Sequence, residues 1–400
     1  MNQHLPMNTR LLYASATRRS FLNTLVRAGA GTAAACFVPS GSLLAQSNGS
    51  SGSRLIVHSP RPEDLETPSD LLTSWITPND LFYVRSHFYT PVMKEDAWTM
   101  RIDGDVERPL DLTLNELRKM RSTTQVVTLE CAGNGRGFFE PPVAGVQWKK
   151  GAVGTARWTG VRMADVLDRA GIKRSARHVW LNGADVGTGR APDFIRNVPL
   201  EKAMHPDTLL AYEMNDEVLP IAHGFPLRAI VSGWEGAYSV KWLTHLQVAD
   251  REHEGAFVQS SYRYPKRPVT PGGTVQPADT VPLKGLVVKS IISSPAADAV
   301  VPRGPVRIAG FAWAGEAEIK RIDVSTDHGR TWSPARLGRD RAPYAWRQFE
   351  YHWNATEPGA FVVLSRAEDA NGRVQPIVAV WNPAGYLWNA IDQVRVIVKS

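Results

Sequence analysis

The chain has 400 residues, with 46 Lys+Arg against 39 Asp+Glu and a formal charge of +7. Four of those arginines and no acid fall in the first 45 residues, so without that stretch the charge is about +3, and no basic run elsewhere supports a nucleic-acid-binding role. Two cysteines, Cys36 and Cys131, exclude a disulfide-rich scaffold.

Arg18-Arg19 precede Ser20-Phe21-Leu22, and a stretch of small residues ends at Leu43-Leu44-Ala45. Residues 1–45 read as a twin-arginine signal peptide cut after Ala45, which places the mature chain in the periplasm. The alternative, a membrane anchor, must span about 30 Å of hydrocarbon, and this Gly/Ala-rich stretch is too short. Thr32-Ala33-Ala34-Ala35 before Cys36 is a poor lipoprotein signal, so Cys36 leaves with the peptide and no stable membrane anchor is expected. The twin-arginine route carries folded proteins, including those loaded with a cofactor before export.

Residues 46–60, rich in Ser and Gly, read as a flexible linker. From 61 to 270 the pattern is α+β. Thr113-Leu-Asn-Glu116 is a capping box that opens a short helix through Arg121. QVVTLE is a β-branched run that places Cys131 just past a strand end. VRMADVLDRA, 161–170, is apolar at 161, 163, 166 and 167 and stops at Gly171, as a helix does. HVWLNG, RAIVSG and VKWLTHLQV read as further strands. The Pro/Gly-rich segment 266–282 separates this part from residues 283–400. There LVVKSIISSP, VRIAGFAWAG, IKRIDVSTD, FVVLSRAED and VRVIVKS predict an all-β immunoglobulin-like sandwich. Ser325 to Trp332 matches the Asp box of sialidase propellers, but it occurs once. A turn capped by Asp327, with Trp332 packed behind it, explains it as well.

In TLECAGNGRG, 128–137, the mature chain's lone thiol sits among Gly133, Gly135 and Gly137 with Asn134 and Arg136. Cys131 is either a buried inert cysteine or a ligand or nucleophile, and the polar glycine loop favours its sulfur chemistry. The loop is neither a dinucleotide fingerprint nor a phosphate loop. With no CxxC or CxxCH, a resident zinc cluster, iron–sulfur cluster or attached haem is not expected.

TLECAGNGR, WKKGAVGTARWTGVRMADVL and AYEMNDEVLPIAHGFPLRAIVSGWEGAYSVKWL occur in the order found in the sulfite oxidase family of molybdenum enzymes, which the chain resembles over nearly all its mature length. The GNGR loop and GWEG stretch look most similar to the molybdenum subunits of bacterial sulfane dehydrogenases. The resemblance implies a molybdopterin-binding domain of sulfite oxidase fold over 61–270 and a dimerisation domain over 283–400. It implies a pterin dithiolene and the Cys131 thiolate as ligands of molybdenum. It assigns Tyr83, Arg85, Ser86, His87, Asp185, His223, Arg228, Ser239 and Lys241 to the pterin, and lets the glycines bring the loop close to it. Arg85 and Arg136 would attract an anionic substrate, Trp148 would wall the pocket, and Tyr262, with Tyr264 as competitor, would be the active-site tyrosine.

The activity so implied is oxygen transfer to sulfur, with electrons passed to a cytochrome c on a separate chain. The assembly would be a homodimer, or a heterotetramer with the cytochrome, and a sulfur-carrier protein would present the substrate. Three departures bear on that substrate. Gly135, Tyr238 and Ala384 stand where sulfite oxidases carry arginine, which disfavours free sulfite and favours a bulkier sulfane. Two competing readings are a molybdopterin methionine sulfoxide reductase, whose family lacks the C-terminal β domain, and a non-enzymatic binding protein built on that β domain.

Overall fold

The computed structural model describes residues 54–189 and 191–400; the expected signal peptide, with Cys36, lies outside them. The expected linker 46–60 is corrected in its second half, since Ile56–Pro60 is a strand paired antiparallel with Glu63–Glu66. Leu55 is buried, and His58 Nε2 lies 2.6 Å from Glu66 Oε2, contacts that a Ser/Gly-based reading cannot register.

Two sheets carry the first part. One is antiparallel and contains Ser122–Glu130, Val153–Arg162, Thr208–Met214 and Arg228–Val231, with Glu217–Val218 at its edge. The other runs in the order Leu110–Thr113, Thr99–Gly104, Leu243–Ala249, His178–Gly183, Arg196–Pro199, its only parallel pair being Thr99–Gly104 with Leu243–Ala249. The capping box is present: Glu116 N donates to Thr113 Oγ1 while the Glu116 carboxylate accepts from Thr113 N. That helix is Leu114–Arg118, shorter than expected, because Ser122 already pairs with Val161.

The second helix is Met163–Ala170; it buries Met163, Val166, Leu167 and Ala170 and ends on Gly171, whose φ is +75°. It begins two residues later than the apolar spacing suggests. Val161 and Arg162 finish a ten-residue strand, paired with Leu210 and Leu209.

The C-terminal part is the expected sandwich. Lys289–Ser294, Gly304–Trp313 and Arg347–Ala355 form one sheet, and Ala299–Val301, Asp392–Val398, Gly359–Asp369 and Ile319–Ser325 form the other. Alternate residues turn inward, so that Ile308, Ile322, Val324, Val363 and Val396 fill the space between, each worth about 1.5–3 kcal/mol of burial. The Asp-box stretch is a turn. Asp327 accepts from Thr331 N and Ser325 Oγ, and Trp332 donates to the Gly329 carbonyl at 3.1 Å.

The two parts share a core of Leu72, Val153, Leu286, Ile291, Phe311, Trp313 and Trp346. Trp75 and Trp346 donate to each other's carbonyl at 3.1 and 2.7 Å. The connection 266–282 is not a free linker, for Thr280–Pro282 folds back on Arg263–Pro265. Among the described residues no helix is long and apolar enough to cross a membrane.

Candidate active site

A cavity is lined by Cys131 and by every other site residue expected from the sequence except Arg136 and Trp148. Cys131 arrives there because Ser122–Glu130 ends one residue before it. Its N–H donates to the Ala152 carbonyl at 2.9 Å, and its own carbonyl accepts from Asn134 N at 2.8 Å. Burial pushes its thiol upward, and the nearby Arg136 and Arg85 guanidiniums oppose that.

One end of the cavity is cationic. Arg228 is buried and donates to the His223 carbonyl at 2.8 Å and the Ser239 carbonyl at 2.9 Å. Burial lowers its pKa to about 10. Lys241 donates to Ser86 Oγ and to the Ala222 carbonyl, both at 2.9 Å, and burial reinforced by Arg228 brings it down to about 7. Both cations are held by neutral oxygens. Asp185, on the same lining, is raised to about 6 by burial, against the pull of Lys241. His223 is lowered to about 3 by burial, so its neutral ring donates from Nε2 to the Asn79 carbonyl at 3.1 Å. Buried positive charge held only by neutral oxygens is costly unless an anion joins it.

The other side is aromatic. Tyr262, with φ at +54°, lies in the left-handed region, and its hydroxyl lies 2.7 Å from His87 Nε2. His87 stacks on Phe194 at 4.2 Å and is pushed well below the usual imidazole value, first by burial and then by Arg85. Arg85 is paired with Asp64 at 3.0 Å, through the pairing of Val84–Arg85 with Glu63–Glu66. Tyr83 completes the lining. Tyr264 lies on the strand Arg263–Pro265 and does not reach the cavity, so geometry selects Tyr262.

Arg136 and Trp148 lie beside Cys131, as expected, but neither lines this cavity. The Arg136 guanidinium donates to the carbonyls of Ala384 at 3.3 Å and Val146 at 3.1 Å, and lies 5.3 Å from the Tyr386 ring centre. It is packed where a Cβ on Gly133, Gly145 or Gly385 would come within 2.6 to 2.8 Å of its side chain. The loop glycines therefore make room for protein. Gly135, at φ +92°, backs onto Trp388, where a Cβ would meet the ring at 2.7 Å. Trp148 is fully buried, edge-on to His58 at 4.9 Å, in the apolar cluster against which Cys131 packs.

Sequence patterning did not single out several neighbours. Tyr386, from the C-terminal part, stacks on Tyr262 at 5.6 Å with planes 9° apart, and Leu387 N donates to the Ala132 carbonyl at 3.0 Å. Phe194, Phe257 and Arg196 close around the same tyrosine. Phe257 is five residues from Tyr262, but Arg196, Phe194 and Tyr386 lie 66, 68 and 124 residues away and leave no local signal.

The profile of the Oxidoreductase molybdopterin binding domain matches residues 87–257, and that of the Mo-co oxidoreductase dimerisation domain matches 281–399. Chicken sulfite oxidase is 37% identical over 352 residues, covering 84% of this chain and 76% of that protein. The chain belongs to the sulfite oxidase family of molybdenum enzymes. Human mitochondrial sulfite oxidase is 36% identical, over 86% of this chain and 66% of its own length. The crystal structure of sulfane dehydrogenase SoxCD from Paracoccus pantotrophus superposes with a TM-score of 0.74 at 30% identity, covering 84% of this chain and 85% of that one.

A molybdenum–pterin cofactor fits what the cavity offers. Among the described residues no three His, Cys, Asp or Glu side chains gather as a metal site, so a metal here must bring most of its own ligands. One cysteine sulfur at the wall, with the buried Arg228 and the partly buried Lys241 that have no carboxylate ion pair, suits such a metal carried on an anionic, phosphate-bearing group. This chain is a molybdenum oxidoreductase of the kind of the sulfite oxidases and the sulfane dehydrogenase, which act on sulfur.

Proposed function

We propose that the chain oxidises a sulfane-terminated thiol, in preference to free sulfite, after export to the periplasm, and passes the electrons to a separate cytochrome c. The observation that carries the substrate reading is the sequestration of Arg136 beneath Tyr386. Its donors are directed at the carbonyls of Ala384 and Val146. Ala384 itself supplies no cation, and Arg85 is offset by Asp64. A sulfite dianion near Cys131 meets the field of Arg136 but not its hydrogen-bond donors, whereas the rings of His87, Phe194 and Tyr262 suit a polarisable sulfur.

Cys131 would hold molybdenum. Arg228, Lys241, Ser86, Ser239, His223 and Asp185, with Tyr83, would hold the pterin and its phosphate. When bound, the cofactor supplies the oxygen atom given to sulfur and takes up two electrons. The chain's own share is placement and protons. Arg85 orients the substrate's polar end, and Tyr262 and neutral His87 hold one proton between the phenol oxygen and Nε2. The apolar wall excludes water, and the dimerisation domain would pair two copies. The export reading rests on residues 1–45, and the separate cytochrome on the lack of a haem-attachment motif.

The test is to purify the exported protein, quantify molybdenum and pterin, and measure kcat/KM for free sulfite and for a sulfane bound to a carrier thiol. A clear preference for the carrier-bound sulfane is expected; a preference for sulfite overturns the substrate reading.

A further inference from the structure

A second cavity, with about 520 Å³ of empty space, shares no lining residue with the first; Arg196, Asn197, Trp234, Tyr238, Glu252 and Lys284 are on its wall. Arg196 is 2% exposed, and its Nε and Nη1 have no hydrogen-bond partner among the described residues. Its guanidinium carbon lies 4.5 Å from the centre of the Tyr238 ring and 4.7 Å from that of Tyr262. The Tyr238 hydroxyl is a side-chain hydrogen-bond partner of the guanidinium, and the ring faces offer no lone pair to the remaining Nε and Nη1. Buried donors left unmade are costly, and their presence points to an ion, ligand or water that completes them.

Asn197 repeats the pattern. It is 7% exposed, its Oδ1 has no partner, and its Nδ2 is a long 3.3 Å from His178 Nδ1. A half-turn of the amide lets Oδ1 accept from His178 and aims Nδ2 as a donor at the cavity. Lys284 is exposed at the rim and adds a second positive charge. Glu252 supplies a carboxylate, which a proton-bearing oxyanion meets as an acceptor.

We propose that this cavity is a second anion site, which takes a small tetrahedral oxyanion through Arg196, Asn197 and Lys284. Inorganic phosphate keeps a proton for Glu252 at neutral pH; sulfate shares its shape and charge but has no proton to offer. Because Arg196 also contacts Tyr262, an anion there acts on turnover through the tyrosine, without entering the substrate's cavity. The proposal stands independently of the sulfane reading.

The test uses the loaded enzyme, in which the cofactor occupies the first cavity. Sulfate and, in a separate arm, phosphate are titrated by calorimetry at an ionic strength held constant with chloride. Saturable binding is expected, weakened on the order of tenfold by Arg196→Gln and about threefold by Lys284→Gln. Steady-state kinetics should show the anion lowering kcat, an effect reduced in Lys284→Gln, whose turnover without anion stays at the wild-type level. Tighter phosphate than sulfate binding would identify phosphate as the natural occupant. Should Arg196→Gln fail to fold, Lys284→Gln decides alone. No saturable binding of either anion, or binding indifferent to both substitutions, overturns the proposal.

Discussion

Lys289, rooted in the C-terminal sandwich, lies 2.8 Å from Glu130 Oε1, the carboxylate of the residue just before Cys131. The same ammonium donates to the Asn134 carbonyl at 3.0 Å, and Trp313 Nε1 donates to Glu130 Oε2 at 2.7 Å. The cysteine loop is thus gripped from the other half of the protein. Both ion-pair partners are almost completely buried, so removing one strands the other's charge. Lys289→Met is expected to cost about 3–5 kcal/mol in denaturant unfolding, with a matching loss of bound molybdenum.

Cys131→Ser keeps the size of the side chain and replaces a soft thiolate with a poor ligand. Sulfur-oxidation assays should fall to background, while circular dichroism and the unfolding midpoint stay near wild type. Full turnover by the serine variant would contradict the assignment.

Tyr262→Phe removes one hydroxyl and its 2.7 Å contact with His87 Nε2. If that proton serves the reaction, kcat should drop by about 10²–10⁴ with KM little changed. Tyr264→Phe, outside the cavity, should leave both constants in place.

The unliganded cavity should show a pH signature. Lys241 titrates near 7 when folded against a usual 10.5, because burial and Arg228 disfavour its charge. Between those values the unfolded chain holds the extra proton, so stability rises with pH, by at most about 1.4 kcal/mol per unit. Asp185 has the opposite sign: raised from 3.8 to about 6 by burial, it holds its proton longer when folded, so stability falls as pH climbs through that window. Chemical denaturation of cofactor-free protein across pH 4–10 should show both limbs. Lys241→Met should flatten the upper one and Asp185→Asn the lower.

Ala384→Arg would restore a guanidinium where sulfite oxidases carry one. Its expected effect is a lower KM for free sulfite, by about tenfold for one charge-assisted contact, at the expense of turnover on the carrier-bound sulfane. Steady-state kinetics on both substrates checks it.

What could be read in the sequence were features set by near neighbours. The capping box at Thr113, the stop at Gly171 and the thiol just past a β-branched run each depend on a few adjacent residues. The pterin-side residues followed from family motifs. The direction in which Arg136 turns its donors was not legible, because it depends on partners far along the chain. Gly385, Ala384 and Tyr386 confine the arginine from about 250 residues away. The strand Thr208–Met214 was missed because it is buried on both faces and lacks alternation. The start of the second helix was misjudged because Val161 is equally apolar in a strand.

Tyr386, Leu387 and Lys289 reach the cysteine loop and its tyrosine from the last third of the chain. What the last third of the chain adds is a brace behind the cysteine loop and Tyr262, since every residue that lines the cavity lies between Phe82 and Tyr262.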